Sequence, residues 1–478
     1  MAAALIMVYA LILPPVIGLA DNGDFYRAMD GMGIYKLDRF QEDQYLNYAG
    51  TKFGVYKYYN ENGSRLISSQ QIFIGAALLL DRIVTGEDQL FDIRFLGILL
   101  IVYACISIYL LLDYVTYGRS VKEGWVLSAV CVFMFADTGY TAYFNSFFPE
   151  GLVYVSFLGA MSCALLITQK RYPFQWMFPV FAVNSMVMIT AKQQNAAAAP
   201  VLLLICLIMA GFAGKSRKSD RILALSGGGI LLLCGIFAAA VFPQSHMKMD
   251  QYHAMIRGVM RESENPEEAL SFFGMNPQYS ILNETNSFER YLPVDAEDEI
   301  LEDGFYDKYD FVSICAYYLS HPDTLLRALT DAVQEAYIIS PDILGNYDRS
   351  EGKMPGERTS FFKGYSTFKR HAVPATVGFV IIWILLAALN RKDREKLMIL
   401  LCMILIGLMQ IGISVVGSGG TDLPKRVFLY NAAFDLATYV SMSSVIVSVS
   451  HMAAGAAGGM RKGKSRCGKK KNEGKKAV

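Results

Sequence analysis

The chain has 478 residues, of which 53% are hydrophobic and only 18% are charged. A soluble chain of this size is expected to carry about 25% charged residues, so the composition excludes an ordinary soluble globular protein. The formal net charge of +1 points to no partner, because the charges are unevenly distributed along the chain. The eight cysteines lie mainly in apolar runs and the five histidines are scattered. The sequence therefore predicts neither a disulfide framework nor a zinc site.

Apolar runs of about 20 residues recur along the chain and predict an all-α polytopic membrane protein, because lipid cannot satisfy exposed backbone groups. We expect about ten spans, at residues 2–20, 95–115, 124–140, 151–168, 173–190, 196–213, 222–243, 372–389, 397–416 and 428–450. The first run lacks a basic leader and ends in Gly18-Leu19-Ala20. We expect it to be retained; the alternative is removal as a signal peptide, which would leave Asp21 at a free terminus.

Lys and Arg are concentrated in alternate connections. The loops at 119–122, 170–171, 215–221 and 391–396, with the tail, hold 21 of these residues, whereas the short loops opposite hold Lys192, Lys425 and Arg426. Positive charge stays inside, so we expect both termini to be cytoplasmic in a plasma membrane protein. The predicted units are an N-terminal membrane module of seven spans at 1–243, an extracytoplasmic segment at 244–371, a membrane module of three spans at 372–450, and a disordered basic tail at 451–478.

Two long segments are predicted on the outer side of the membrane, at 21–94 and 244–371. The loop 21–94 contains the apolar stretch 72–80, which is too short to cross and predicts a helix lying at the membrane interface. Residues 244–371 carry 22 acidic and 12 basic side chains and predict helices at roughly 246–263, 266–273, 308–319 and 323–340. No strand alternation or repeat in this segment identifies a fold.

Acids and cations collect at the outer ends of the spans. Asp21, Asp24 and Arg27 follow the first span directly, and the short outer turns add a second set: Arg94, Asp137, Glu150, Lys192, Asp422, Lys425 and Arg426. Ionisable groups at this depth are expensive unless they are paired or used. The alternative is structural: Asp-Asn-Gly-Asp is also good turn chemistry, and Arg94 or Lys192 can act as a head-group anchor.

This mixture of charges suits a lipid-linked sugar, whose phosphate lies at head-group depth above a buried hydrocarbon tail. Cations can stabilise the departing phosphate while a carboxylate accepts a proton from the attacking hydroxyl.

Short motifs in this order resemble the GT-C superfamily of membrane glycosyltransferases, and within it bacterial glycan-biosynthesis hexosyltransferases of the WsfD-like kind. They are Asn22-Gly23-Asp24-Phe25-Tyr26-Arg27, Tyr143-Phe144-Asn145-Ser146-Phe147 with Pro149-Glu150, Lys192-Gln193-Gln194-Asn195, Tyr252-His253 with Gly258, and Tyr317-Tyr318-Leu319-Ser320-His321-Pro322, with a continuation over 422–428. GT-C enzymes place an essential acid just after the first helix, where Asp21 and Asp24 stand.

The resemblance implies transfer of a hexose from a polyprenyl-phosphate donor to a cell-surface glycan or lipid-linked acceptor on the extracytoplasmic side. The implied roles are Asp24 or Asp21 as general base, Glu150 orienting the acceptor or sugar, phosphate binding by Arg94, Lys192, Lys425 and Arg426, and substrate binding by Arg27, Asn145, Gln194, His253 and Asp422. We expect no metal or other cofactor, with a divalent ion bridging Asp24 and Glu150 as the alternative. The Trp-Trp-Asp signature of oligosaccharyltransferases is missing from the sequence, which leaves the acceptor open.

The main alternative function is a transporter or flippase of a lipid-linked glycan intermediate. Transporters tend to carry ionisable residues near the bilayer midplane and to show paired halves. Here the apolar interiors of the predicted spans are nearly free of charged residues, Asp435 being the exception. No repeat relates one half of the sequence to the other. A ligand-binding receptor would explain segment 244–371 but not the charged turns, and nucleic-acid binding has no support beyond the basic tail.

Overall fold

The architecture is that of a computed structural model, which describes all residues except 38–44, 58–66, 213–216, 242–243, 286, 288–292, 297, 374–378, 421 and 446–478. The predicted tail at 451–478 lies outside the described residues. The described chain is mostly helical. Its α-helices are α1 (Ala2–Leu11), α2 (Phe25–Met29), α3 (Ser69–Thr85), α4 (Arg94–Thr116), α5 (Val121–Phe135), α6 (Thr138–Thr141), α7 (Glu150–Thr168), α8 (Phe174–Ala191), α9 (Ala199–Phe212), α10 (Lys218–Ala240), α11 (Gln244–His253), α12 (Pro266–Phe272), α13 (Ile300–Gly304), α14 (Phe311–Ser320), α15 (Pro322–Glu335), α16 (Gly364–Ala372), α17 (Phe379–Ala388), α18 (Arg394–Ser418), α19 (Leu423–Arg426) and α20, which runs from 428 to 445.

Six helices of the described chain are long and apolar enough to cross a membrane, which makes this a multi-pass membrane protein. They are α4, α7, α8, α10, α18 and the helix Gln193–Phe212, in which a 3-10 turn continues into α9. A seventh span results if α5 and the bent continuation Thr138–Asn145 are counted together. The described residues thus support the polytopic architecture but not the predicted count of ten. Residues in α17 and α20 border undescribed segments, so spans 372–389 and 428–450 stay predictions.

Helix α7 is the centre of the bundle. Its residues from Glu150 to Leu166 are all buried, and it packs against α4 and α8. A helix that is apolar on every side is expected to be enclosed by other helices. This burial fixes the position of Glu150, the first residue of α7.

The first predicted span is helical over a shorter length than expected. Helix α1 ends at Leu11, and Pro14 and Pro15 follow; neither proline has a backbone N–H with which to continue the helix. Residues 16–20 are instead buried, with Ile17 bridging Tyr347 and the amide of Gly18 donating to the Asn346 carbonyl. The chain after α1 is therefore held by residues of 244–371, which we call the outer segment after its predicted side of the membrane.

A small antiparallel sheet, which the all-α prediction missed, lies in the loop 21–94. Its strands are β1 (Ile34–Lys36), β2 (Lys52–Val55) and β3 (Leu90–Asp92), in the order β1-β2-β3. The strands are three or four residues long, too short for alternation of apolar and polar residues to be visible in the sequence. Between β2 and β3, the predicted interfacial stretch forms α3, whose side chains Ile72, Leu79 and Ile83 are exposed. Its place at a membrane surface stays a prediction.

The outer segment is helical where the sequence predicted helices. Helix α11 continues through a π-helical stretch, Ala254–Met260, and α12, α14 and α15 match the other predicted helices closely. Helix α16 closes the segment and brings Lys369 against α20, where Lys369 Nζ lies 2.7 Å from Asp435 Oδ1 and both side chains are buried. Tyr140 donates a hydrogen bond to the other oxygen of Asp435. Asp435, the exception in the otherwise uncharged apolar interiors of the predicted spans, thus has a structural partner.

Candidate functional site

A pocket with an empty volume of about 880 Å³ opens where several of the predicted outer turns converge. We call it the charged pocket. It is lined by Asp24, Arg27, Ala28, Ile67, Ser68, Gln70, Phe147, Phe148, Pro149, Glu150, Thr190, Ala191, Lys192, Gln193, Gln194, Ala238, Val241, Asp250, Lys425 and Arg426. Three of these side chains are carboxylates and four are cations. Six of the ten charged residues that the sequence places at the outer ends of the spans therefore meet around one opening: Asp24, Arg27, Glu150, Lys192, Lys425 and Arg426.

The turn before α2 positions Asp24. Asp21 Oδ1 accepts hydrogen bonds from the amides of Gly23, at 2.7 Å, and Phe25, at 3.1 Å, and its Oδ2 lies 2.6 Å from Lys36 Nζ. Gly23 has φ +109°, a conformation that side chains disfavour and glycine adopts readily. Asp21 is buried and does not line the charged pocket, so it serves to shape the turn that presents Asp24.

Asp24 lines the pocket and forms ion pairs with Lys425 and Arg27. Its Oδ2 accepts from Lys425 Nζ, and its Oδ1 lies 3.5 Å from Arg27. Burial alone would raise the pKa of the Asp24 carboxyl, but Lys425 and Arg27 outweigh it and hold that pKa well below its usual range. The same pairing raises the pKa of Lys425 against the effect of its burial. In this state Asp24 is ionised and weakly basic.

Glu150 faces the pocket from the buried start of α7. Its Oε1 accepts a 2.8 Å hydrogen bond from Lys192 Nζ, and Lys192 also donates to the Lys425 carbonyl at 3.2 Å. The other oxygen, Oε2, is buried and has no hydrogen-bond partner among the described residues. A buried carboxylate oxygen without a partner is costly, so this atom is suited to accept from a hydroxyl that enters the pocket.

The third ion pair joins Arg426 to Asp250, with NH2 and Oδ1 2.7 Å apart. Both side chains are about one-fifth exposed, 20% each. Both also line a second opening, as do Gln193 and Gln194. The Asp250–Arg426 pair therefore stands where two cavities meet.

That second opening, which we call the apolar groove, has an empty volume of about 1750 Å³. Its walls are the start of α9, the end of α10, the end of α18, and parts of α11 and α14, contributed by Ala196, Ala197, Ala199, Pro200, Leu232, Gly235, Ile236, Ala239, Met247, Phe311, Cys315, Met409, Gly412, Ile413, Val416 and Gly417. None of these residues is charged. A hydrocarbon chain suits such a lining.

Gln194 fixes the wall between the two cavities. Its Nε2 donates at 3.0 Å to Ser414 Oγ and to the Arg426 carbonyl. Its Oε1 is buried and has no hydrogen-bond partner within the described chain. The side chain thus holds α18 and α19 together and leaves one acceptor for a ligand.

Several predicted site residues lie elsewhere and have structural roles. Arg94 is paired through Nε with Asp92 at 2.9 Å and does not line the charged pocket, so its donor-phosphate role stays a prediction to which this pocket adds no support. Asn145 is buried and donates to the carbonyls of Leu11 and Ile17, which ties down the chain after α1. His253 is buried too, with Nε2 contacting the Ser287 amide and hydroxyl, and is away from both cavities.

Asp422, a predicted substrate-binding residue, contacts the turn that precedes α2. It lies beside the pocket rather than in its lining, and its Oδ2 accepts a 2.8 Å hydrogen bond from the amide of Asn22. Asp137, another predicted rim acid, is buried and accepts from the amides of Gly139, Tyr365 and Ser366. Asp422 thus connects its own turn to the turn before α2, and Asp137 connects the start of α6 to the start of α16.

Sequence reasoning missed Asp250 and Gln70. Asp250 is one of 22 acidic residues in segment 244–371, and nothing in its neighbourhood marks it out. Gln70 lines the pocket and donates from Nε2 to the Phe147 carbonyl at 2.6 Å, fixing the turn before α7. One signal was present for Gln70: it lies two residues after Ser68, the N-cap of α3, and just before the apolar stretch 72–80.

No group of three or more metal-ligating side chains occurs among the described residues. The two carboxylates that the sequence offered as bridging ligands, Asp24 and Glu150, each contact a lysine ammonium.

Comparison with known proteins gives a family. No curated protein matches the chain at a significant level. A similar solved structure is the archaeal oligosaccharyltransferase AglB from Archaeoglobus fulgidus, in complex with an inhibitory peptide and a dolichol-phosphate, at 10% identity and a TM-score of 0.41. That alignment covers 95% of this chain and 50% of AglB, so the chain spans about half the length of the archaeal protein. The family model described as the YfdI N-terminal transmembrane domain matches residues 1–468, and the chain belongs to that family.

Proposed function

We propose that this protein is a membrane glycosyltransferase that moves a hexose from a polyprenyl-phosphate donor to a glycan or lipid-linked acceptor. One observation carries the proposal: the charged pocket and the apolar groove meet at Asp250, Arg426, Gln193 and Gln194. A polyprenyl-phosphate sugar has the same sequence of chemistries, with an apolar chain, an anionic phosphate and a polar sugar.

The donor fits this arrangement in one direction. Its hydrocarbon chain occupies the apolar groove, and its phosphate lies at the junction beside Arg426, with Lys425 and Lys192 farther into the pocket. The sugar then lies toward Asp24 and Glu150. Arg426 suits the phosphate because a guanidinium offers two parallel donors to an oxyanion.

The reaction needs one bond to form and one to break. The acceptor hydroxyl oxygen attacks the anomeric carbon while the bond from that carbon to the phosphate oxygen breaks, and polyprenyl phosphate leaves. The hydroxyl proton passes to a carboxylate, which we assign to Asp24 because Asp24 lines the pocket and Asp21 does not. The unpaired Oε2 of Glu150 accepts from a hydroxyl and orients the acceptor or the sugar.

The resting ion pairs explain how a weakly basic Asp24 becomes a base. A donor phosphate competes with Asp24 for the ammonium of Lys425. When the ammonium moves from Asp24 toward the phosphate, the main cause of the low Asp24 pKa is removed. The carboxylate becomes more basic when the donor is bound. The leaving phosphate gains the charge that Asp24 gives up.

We further propose that the cations act in place of a divalent metal. Lys192, Lys425 and Arg426 supply positive charge where the phosphate departs.

The narrower assignment to WsfD-like hexosyltransferases draws support from the motifs at 22–27, 143–150 and 192–195, each of which contributes pocket residues. We place the pocket on the extracytoplasmic face on the basis of loop charge.

A reconstituted assay tests the proposal. Purified protein in liposomes receives polyprenyl-phosphate hexoses and candidate acceptors, with wild type compared with Asp24→Asn and each reaction repeated in EDTA. We expect transfer by the wild type, loss of transfer in Asp24→Asn, and no effect of EDTA. Wild-type protein that transfers nothing but moves the lipid across the bilayer would replace this proposal with the flippase alternative.

A further inference from the structure

Helix α14 belongs to the outer segment, yet one side of it is apolar and uncovered. Val312 is 75% exposed and Leu319 is 79% exposed, and Ala316 between them is also exposed. These three residues fall within an arc of about 60° on a helix of 3.6 residues per turn. The opposite side, with Ile314, Tyr317 and Tyr318, is buried in the protein.

The side of α14 next to this uncovered side lines the apolar groove, and this contact locates α14 relative to the spans. Phe311 and Cys315 lie about 40° apart on the helix and both line the apolar groove. The other walls of that groove are the pocket-side ends of α9, α10 and α18. These three helices belong to spans long enough to cross a membrane. Helix α14 is therefore level with the outer ends of the spans.

The length of α14 decides how it can meet lipid. Ten residues extend about 15 Å as a helix, half of a hydrocarbon core of about 30 Å, so α14 cannot cross. The residues beside it on the groove wall, such as Ile236 on α10, are themselves exposed apolar side chains. The uncovered arc of α14 continues that apolar surface onto the outer segment.

We propose that α14 lies in the plane of the membrane with Val312, Ala316 and Leu319 inserted among the lipid chains of the outer leaflet. Phe311 and Cys315 then form the lip of the apolar groove at the lipid boundary. The outer segment is thereby fastened to the bilayer at the groove entrance. This inference concerns a lipid surface and does not depend on the proposed chemistry.

Lipid-borne quenchers test it residue by residue. Val312→Cys, Leu319→Cys and the matched control Ser313→Cys are each made with Cys315 and Cys467 replaced by serine, labelled with a small thiol-reactive fluorophore, and placed in nanodiscs containing spin-labelled lipid. Ser313 lies on the same helix about 90° from the centre of the apolar arc. We expect severalfold stronger quenching at positions 312 and 319 than at 313.

Two results would overturn the inference. One is equal quenching at all three positions. The other is weak lipid quenching at 312 and 319 together with strong quenching by iodide in the buffer, or with disulfide cross-links between two copies of the chain. Elution volume and thermal unfolding of each labelled variant show whether it is folded, and all three substitutions are outside the buried face of α14.

Discussion

Nζ of Lys192 lies 2.8 Å from Oε1 of Glu150, at the point where the end of α8 meets the buried start of α7. Each of the other two carboxylates that line the charged pocket also contacts a cation, Asp24 with Lys425 and Asp250 with Arg426. Every carboxylate that lines the charged pocket is therefore paired, and an incoming anion must compete for these cations. The predictions for Lys192, Asp24 and Arg426 follow from that competition.

Lys192 makes donor binding depend on pH. Burial lowers the pKa of the Lys192 ammonium from its ordinary value of 10.5, although Glu150 acts in the opposite direction. An ammonium binds phosphate and a neutral amine does not, so donor affinity falls as the pH rises through this lowered pKa, before 10.5 is reached. We expect a loss of about tenfold or more, the worth of a charged hydrogen bond. Donor titrations at several pH values measure it.

The control for this prediction is Lys192→Arg. Arginine keeps its charge throughout the same range, so the affinity of Lys192→Arg should stay level where that of the wild type falls. Parallel curves for the two proteins would mean that another group titrates.

Asp24 and Asp21 should respond differently to the same substitution. Asp24→Asn removes the proposed base and should lower transfer per folded molecule by about 10²- to 10⁴-fold, in addition to any stability that is lost with its ion pair to the buried Lys425. Asp21→Asn removes the charge that Lys36 pairs with and weakens the turn, so we expect a loss of about 1–3 kcal/mol in stability. Transfer per folded molecule should be largely retained. Loss of transfer in folded Asp21→Asn, with Asp24→Asn still active, would exchange the two roles.

Arg426 and Arg94 form a second matched pair, since the sequence assigned both to the donor phosphate and only Arg426 lines the cavities. Arg426→Ala should raise the donor Kd by about 10- to 100-fold and change acceptor binding less. Arg94→Ala should leave both constants near the wild-type values. Titration of donor and acceptor against each variant measures this, and equal losses for the two ligands in Arg426→Ala would remove Arg426 from the phosphate role.

The pair Lys369 and Asp435 should matter for folding. Lys369→Met leaves a buried carboxylate without its ammonium, which typically costs about 3–5 kcal/mol. Adding Asp435→Asn removes the uncompensated charge and keeps an acceptor for Tyr140, so the double variant should regain much of the lost stability. Thermal unfolding in detergent compares the three proteins. A double variant no more stable than Lys369→Met would show that the pair is not the source of the loss.

The sequence by itself determined the membrane class, most of the long helices and the helices of the outer segment. Periodicity and hydropathy are local, and a run such as the one that forms α7 must be helical in lipid whatever surrounds it. Local signals also identified Asp24, Glu150, Lys192 and Arg426 as candidates, because charge at the end of an apolar run is visible without a fold. They gave no means to separate these residues from Arg94, Asn145 and His253, whose side chains have structural partners.

Tertiary structure alone decided which of these residues share a cavity. Asn22 and Asp422 are 400 positions apart and joined by a hydrogen bond, and Asp250 enters the site from an acidic segment in which no residue stands out. Contacts of this kind depend on how α7, α10, α18 and the outer segment pack together. The physical reason is that a side chain's partner is set by packing over the whole molecule, whereas hydropathy reports only the preference of a segment for water or lipid.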